Sequence, residues 1–152
     1  MLRSRQARRD RSRDGNSQAD RCRALILVIG NADAHAKNFS LLRGDSGEVV
    51  LAPLYDLVST VVWPELSNRF AMKYGGARTL EAMSAGSFER FAADAGVDYE
   101  MVRVRGLSLC ERIMHGLEMG LDTPGLTDRS AVSALATLFH YRAGRISLKL
   151  AG

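Results

Sequence analysis

The chain has 152 residues, 46% hydrophobic and 25% charged, which fits one globular domain long enough to bury its own core. Its longest apolar run, residues 24–29, falls far short of the roughly 20 residues that span a membrane, and the arginine-rich start lacks the apolar stretch of a secretory signal. Cys22 and Cys110 are far apart and form no metal-binding or disulfide pattern, so a cytoplasmic setting is expected.

The net charge of +4 is concentrated at the start: residues 1–23 carry eight arginines against three aspartates, and the remainder carries thirteen basic against fourteen acidic side chains. Residues 1–18 have no aromatic and almost no apolar side chain, so a disordered Arg-rich tail is expected there, with the folded domain at 19–152. Such a tail could touch nucleic acid through phosphate contacts alone. The plainer reading is a solvated leader, and no direct nucleic-acid contact is expected elsewhere.

Ala19 to Ile29 reads as a helix, apolar on nearly all sides from Leu25 onward and therefore buried, with Gly30 ending it. Phe39 to Leu42 and Val49 to Ala52 flank Gly44-Asp45-Ser46-Gly47, a hairpin signal, and Pro53 stops the second strand. Beyond Val62 the pattern turns helical, after a break at Trp63-Pro64, an ambiguous run from Arg69 to Lys73 and a turn at Gly75-Gly76. Ser87 is the expected N-cap of a helix through Ala95, with Gly96 beyond its end. Asp98 caps a longer helix to about Leu121, in which Gly106 and Gly116 each cost up to ~1 kcal/mol against alanine. Thr127 or Asp128 caps the last helix. Met101, Met114 and Met119 read as gap-filling core residues, and His115 and His140 as surface or satisfied core groups. The expected fold is mainly α with one small β-hairpin.

The chemistry is concentrated in Gly30-Asn31-Ala32-Asp33-Ala34-His35-Ala36-Lys37-Asn38, followed by Tyr55-Asp56. Asp33, Asn38 five residues later and Asp56 eighteen beyond that follow the order in which a protein-kinase-type site presents its base and its two metal ligands. Phosphoryl transfer needs one carboxylate to orient and deprotonate the acceptor hydroxyl, and oxygen ligands to hold Mg²⁺ against the phosphates. His35 fits either a phosphate or acceptor contact or a loop-orienting hydrogen bond. Lys37 fits either phosphate neutralisation or a solvated lysine, and Asn31 a backbone-fixing role. A second reading treats Asn31, Asp33 and His35 as alternating on an extended segment, sharing a face that could bind a divalent ion. No Walker-type phosphate loop and no G-x-S-x-G elbow occurs.

Leu27 to Leu41, Leu51 to Ser59 and Phe70-Ala-Met-Lys-Tyr-Gly-Gly76 resemble the C-terminal region of HipA-type toxin kinases, over roughly Ala24 to Leu148. The resemblance implies a kinase-like C-terminal lobe from a serine/threonine kinase of a toxin–antitoxin module. It further implies ATP as substrate, Asp33 as catalytic base, Asn38 and Asp56 as Mg²⁺ ligands, and His35 and Lys37 as polar catalytic-loop positions. The partners implied are a protein substrate and a helix-turn-helix antitoxin.

A working kinase also needs a lobe that covers the nucleotide phosphates and a lysine that grips them. With the loop starting at residue 31, that N-lobe has no room upstream, so the chain alone is expected to bind Mg-ATP weakly and to be nearly or wholly inactive. Three readings follow: a severed kinase lobe, half of a split kinase completed by a separate N-lobe chain, and a non-catalytic module that binds the antitoxin. The split kinase predicts an exposed apolar surface at Leu25 to Ile29 and the hairpin.

Overall fold

Helix formation begins with the all-round apolar segment. The computed structural model describes residues 22–45, 47–120 and 128–152. The expected tail, residues 19–21 of the expected first helix, Ser46 of the expected turn, and Leu121 and Thr127 lie outside them. In the described part of that helix (α1, 22–29), Cys22, Ile26, Leu27 and Val28 are buried and Leu25 and Ile29 half-buried. The part of α1 expected to lie open to a partner lobe is thus already packed against the chain's own core.

Gly30 ends α1 at φ +74°, a left-handed conformation natural to glycine. The Asn31 amide reaches back to Ile26 O at 3.1 Å, the 6→1 bond of a Schellman-type end. After the loop, β1 (Leu41–Arg43) and β2 (Val49–Leu51) pair antiparallel with Leu41 opposite Leu51 and Leu42 opposite Val50. The strands are shorter than expected, although Ala52 N still donates to Ser40 O at 2.8 Å.

Residues 63–84 form no helix, and the expected Gly75-Gly76 turn is present, so the helical pattern resumes only beyond it. Gly75 and Gly76 both adopt positive φ in a tight turn closed by a Tyr74–Ala77 bridge, and Phe70, Tyr74, Leu80 and Met83 reach the core from irregular backbone. Helix α2 (Ala85–Ala95) starts three residues earlier than expected, with Ser84 as N-cap. Ser87 is buried one turn inside, and its hydroxyl accepts the Ser84 amide at 3.2 Å. Gly96 closes α2 in the left-handed conformation, as expected.

Helices α3 (Tyr99–Gly120) and α4 (Arg129–Ala151) pack side by side over the rest. Asp98 accepts Met101 N at 3.1 Å and Asp128 accepts Ala131 N at 2.9 Å, so both expected caps form. Gly106 leaves α3 unbroken, and its missing side chain makes room for Leu150, whose Cδ1 lies 2.7 Å from where a Cβ would stand. The core runs from Leu27 and Val28 through Phe88 and Ala92 to Val102, Cys110, Ala143, Ile146 and Leu150. Met114 packs partly against it, whereas Met119, expected inside, is 70% exposed near the end of α3; Met83 fills the core instead. His115 and His140 are exposed.

Replacing Gly30 by alanine forces a side chain into left-handed backbone and onto the Val61 methyl. We expect Gly30→Ala to lower unfolding free energy by about 2 kcal/mol or more in urea titration. An unchanged midpoint would mean that the α1 terminus is not held as described.

Candidate phosphoryl-transfer site

The loop from Gly30 to Asn38 leaves α1 with alternate burial: Asn31, Ala32 and Ala34 are buried, Asp33 is exposed and His35 half-buried. Two segments brace it. Thr60 Oγ1 accepts Ala32 N at 2.8 Å and donates to Gly30 O at 3.1 Å, and Gly30 O also takes the Val61 amide at 3.2 Å. On the other side Ala71 N donates to Ala32 O at 2.8 Å. Gly30 and Ala32 thus have their polar backbone groups spent, as buried backbone requires.

Asn31, 5% exposed, turns its amide inward and donates to Asp56 O at 2.7 Å. This fixes backbone, the role its sequence position suggested. It also removes the alternative in which Asn31, Asp33 and His35 share one face of an extended segment, because Asn31 is buried and Asp33 is exposed. Among the described residues no group of three or more His, Cys, Asp or Glu side chains could hold a metal ion.

A short 3-10 turn, Ala36–Asn38, brings Asn38 back toward the loop. Asn38 is 7% exposed, and its Oδ1 accepts His35 N at 2.9 Å while its Nδ2 donates to Asp56 Oδ2 at 2.7 Å. Two of the polar side chains singled out in the sequence are therefore in direct contact although they stand 18 positions apart in the chain. Asp56 stands at φ +57°, the sole non-glycine among the described residues with positive φ. Aspartate tolerates this region better than most residues, at a cost of about 1–2 kcal/mol, and such outliers cluster at functional sites. Hydrogen bonds hold it there: Asp56 O accepts Asn31 Nδ2 and, at 3.1 Å, Val58 N. Tyr55 adds a further tie, its hydroxyl donating to Lys37 O.

Asp33 and Lys37 point into solvent, and Asp33 has no hydrogen bond or ion pair among the described residues. His35 Nδ1 is buried without a hydrogen-bond partner. The donor chemistry fits a hard cation. Asn38 Oδ1 keeps a second lone pair after accepting His35 N, and Asp56 keeps its other carboxylate oxygen. Two such oxygens suit Mg²⁺, which retains waters and takes its remaining ligands from phosphate.

Sequence reasoning missed Thr60 and Arg142. Arg142, 6% exposed on α4, donates from Nη2 to Leu27 O at 2.8 Å and from Nε to Leu27 O and Val28 O at 3.1 Å, directly before the loop. Burial pulls this guanidinium below its ordinary value, the Glu81 charge acting the other way. The available signal was an arginine at helical spacing among Phe139, Ala143 and Ile146, where an apolar residue belongs.

The site opens beside apolar surface. Leu41, Leu42, Val49 and Val50 of the hairpin, with Leu57, Val58, Trp63 and Leu66, are large hydrophobic side chains left exposed. Of the surface expected for a docking lobe, the hairpin part is present and the α1 part is not.

Known proteins resemble this chain in sequence and in fold. Residues 2–117 match the model of the HipA-like C-terminal domain. A Sinorhizobium fredii protein named "Putative kinase Y4mE" is 51% identical over 85 residues, covering 56% of this chain and 20% of that protein. A second from the same organism, "Putative kinase Y4dM", is 33% identical over 86 residues, 55% of this chain and 21% of that protein. The chain thus spans about a fifth of the length of these curated relatives. A solved structure of the Shewanella oneidensis MR-1 toxin–antitoxin system, HipA with HipB and operator DNA, superposes with a TM-score of 0.75 at 26% identity, over 85% of this chain and 31% of that one. No helix among the described residues is long and apolar enough to cross a membrane. With its mostly helical fold, its single hairpin and the loop that joins Asn38 to Asp56, the chain belongs to the family of HipA-like C-terminal domains.

Proposed function

We propose that this domain is the catalytic lobe of a serine/threonine protein kinase that transfers the γ-phosphoryl group of ATP to a protein hydroxyl. The observation that carries the reading is the 2.7 Å contact between Asn38 and Asp56, made by an aspartate held in left-handed backbone. Asn38 and Asp56 would hold Mg²⁺, which when bound neutralises phosphate charge. Asp33, exposed on the same loop, accepts the proton of the serine or threonine hydroxyl as that oxygen bonds to phosphorus and ADP leaves. Lys37 supplies positive charge at the mouth of the site, and His35 steers the loop or meets the acceptor.

The reading requires a second lobe to clamp the nucleotide, and the exposed apolar surface of the hairpin and residues 57–66 is where it would dock. The Shewanella HipA structure contains HipB and operator DNA. By analogy we propose an antitoxin as a partner of this chain, a cytoplasmic setting, and DNA contact made through that partner.

Calorimetric titration of the chain with Mg-ATP tests the site. Weak, magnesium-dependent binding that disappears in Asp56→Asn is expected, because the metal loses its carboxylate while Asn keeps the left-handed backbone. Binding that needs no magnesium, or that survives the substitution, would overturn the assignment. Asp33→Asn should separate chemistry from folding. With Asp33 solvated and unbonded, unfolding free energy should stay within about 0.5 kcal/mol and Mg-ATP binding should be unchanged. In the assembled kinase, transfer should fall by about 10²–10⁴-fold. Unimpaired transfer would remove Asp33 from its role.

A further inference from the structure

A buried arginine on the core face of a helix demands an explanation. Arg142 lies beside Ala143 and one turn before Ile146, both fully buried. Taking a guanidinium out of water is costly unless its donors are met. Its hydrogen-bond acceptors here are the carbonyls of Leu27 and Val28, in the last turn of α1. Those are acceptors that a helix end leaves without partners, and a cation is favoured at that end. Gly30 sits beneath the same group, so close that a Cβ there would lie 3.1 Å from Nε. From Gly30 the connection continues directly to the site through Thr60, the Ala32 amide and the Asn31–Asp56 bond.

We propose that Arg142 is a positioning residue for this site. Its planar fork fixes the direction in which the chain leaves α1, and with it the placement of Asn31, Asp33 and Asn38 relative to Asp56. The functional consequence rests on the phosphoryl-transfer reading; the structural one does not. A methionine at 142 fills much of the same volume and donates nothing, which frees the last turn of α1 and the loop attached to it. A lysine keeps the charge, but its compact ammonium cannot reproduce the fork that meets both carbonyls.

Three variants of the chain would be compared: Arg142→Met, Arg142→Lys, and Val102→Ala as a core control on α3 that loses stability without touching the loop. Amide hydrogen exchange would be read at Ala32 and His35, whose N–H groups donate to Thr60 and Asn38. Mg-ATP affinity would be measured alongside. In Arg142→Met both amides should exchange about tenfold faster than in the control after correction for global stability, and nucleotide affinity should fall about tenfold. Arg142→Lys should lie between, and it keeps the test open if the methionine variant fails to fold. Exchange that merely tracks stability, as in Val102→Ala, would overturn the proposal. Absence of Mg-ATP binding in the unaltered chain would bear only on how far the nucleotide site depends on a second lobe, since the exchange comparison decides the role of Arg142.

Discussion

Everything at this site depends on how one helix ends. Helix α1 is apolar on nearly every side, so it drives its last turn, with its bare carbonyls, into the core. Water cannot satisfy those groups there. A guanidinium from α4 does so, and a glycine provides both the left-handed turn and the space beneath that guanidinium. The loop therefore starts from a point that is fixed on both sides, by α1 and by α4.

From that fixed start, the loop's buried and exposed residues have separate tasks. Asn31, Ala32, Ala34 and Asn38 face inward and are held by packing or hydrogen bonds, whereas Asp33 and Lys37 stand in solvent. The inward set determines where the outward set is presented. Asp56 is the point where this frame carries strain. Its left-handed backbone is held by Asn31, Val58 and Asn38, and the result is a carboxylate oxygen that accepts the side-chain amide N–H of Asn38. The apolar side chains around the hairpin mark the side from which the site remains open.

Much of this was legible in the sequence because local rules sufficed. Asp98 and Asp128 each cap the helix that follows, Gly96 closes α2, and the glycines at 44 and 47 mark the hairpin turn. The spacing of Asp33, Asn38 and Asp56 singled out residues of which the last two meet in space. The misses arise where local rules compete with tertiary packing. Ser84 and Ser87 are both good caps, and only burial of the second decides between them. Met119 is an apolar side chain that stands exposed near the end of α3 among the described residues. Arg142 and Thr60 act across more than 25 residues of sequence, and no periodicity reports a side chain whose partner is a distant backbone carbonyl.

The central claim is that the folded chain by itself holds Asn38 against Asp56, so that the two proposed metal ligands are already together in the free chain. A double-mutant cycle on stability, built from Asn38→Ala, Asp56→Ala and the pair, measures that contact directly. A hydrogen bond to a charged carboxylate in this half-buried setting predicts a coupling of about 1–2 kcal/mol between the two substitutions. Additivity within about 0.5 kcal/mol would mean that the side chains do not meet in solution, and would contradict the account.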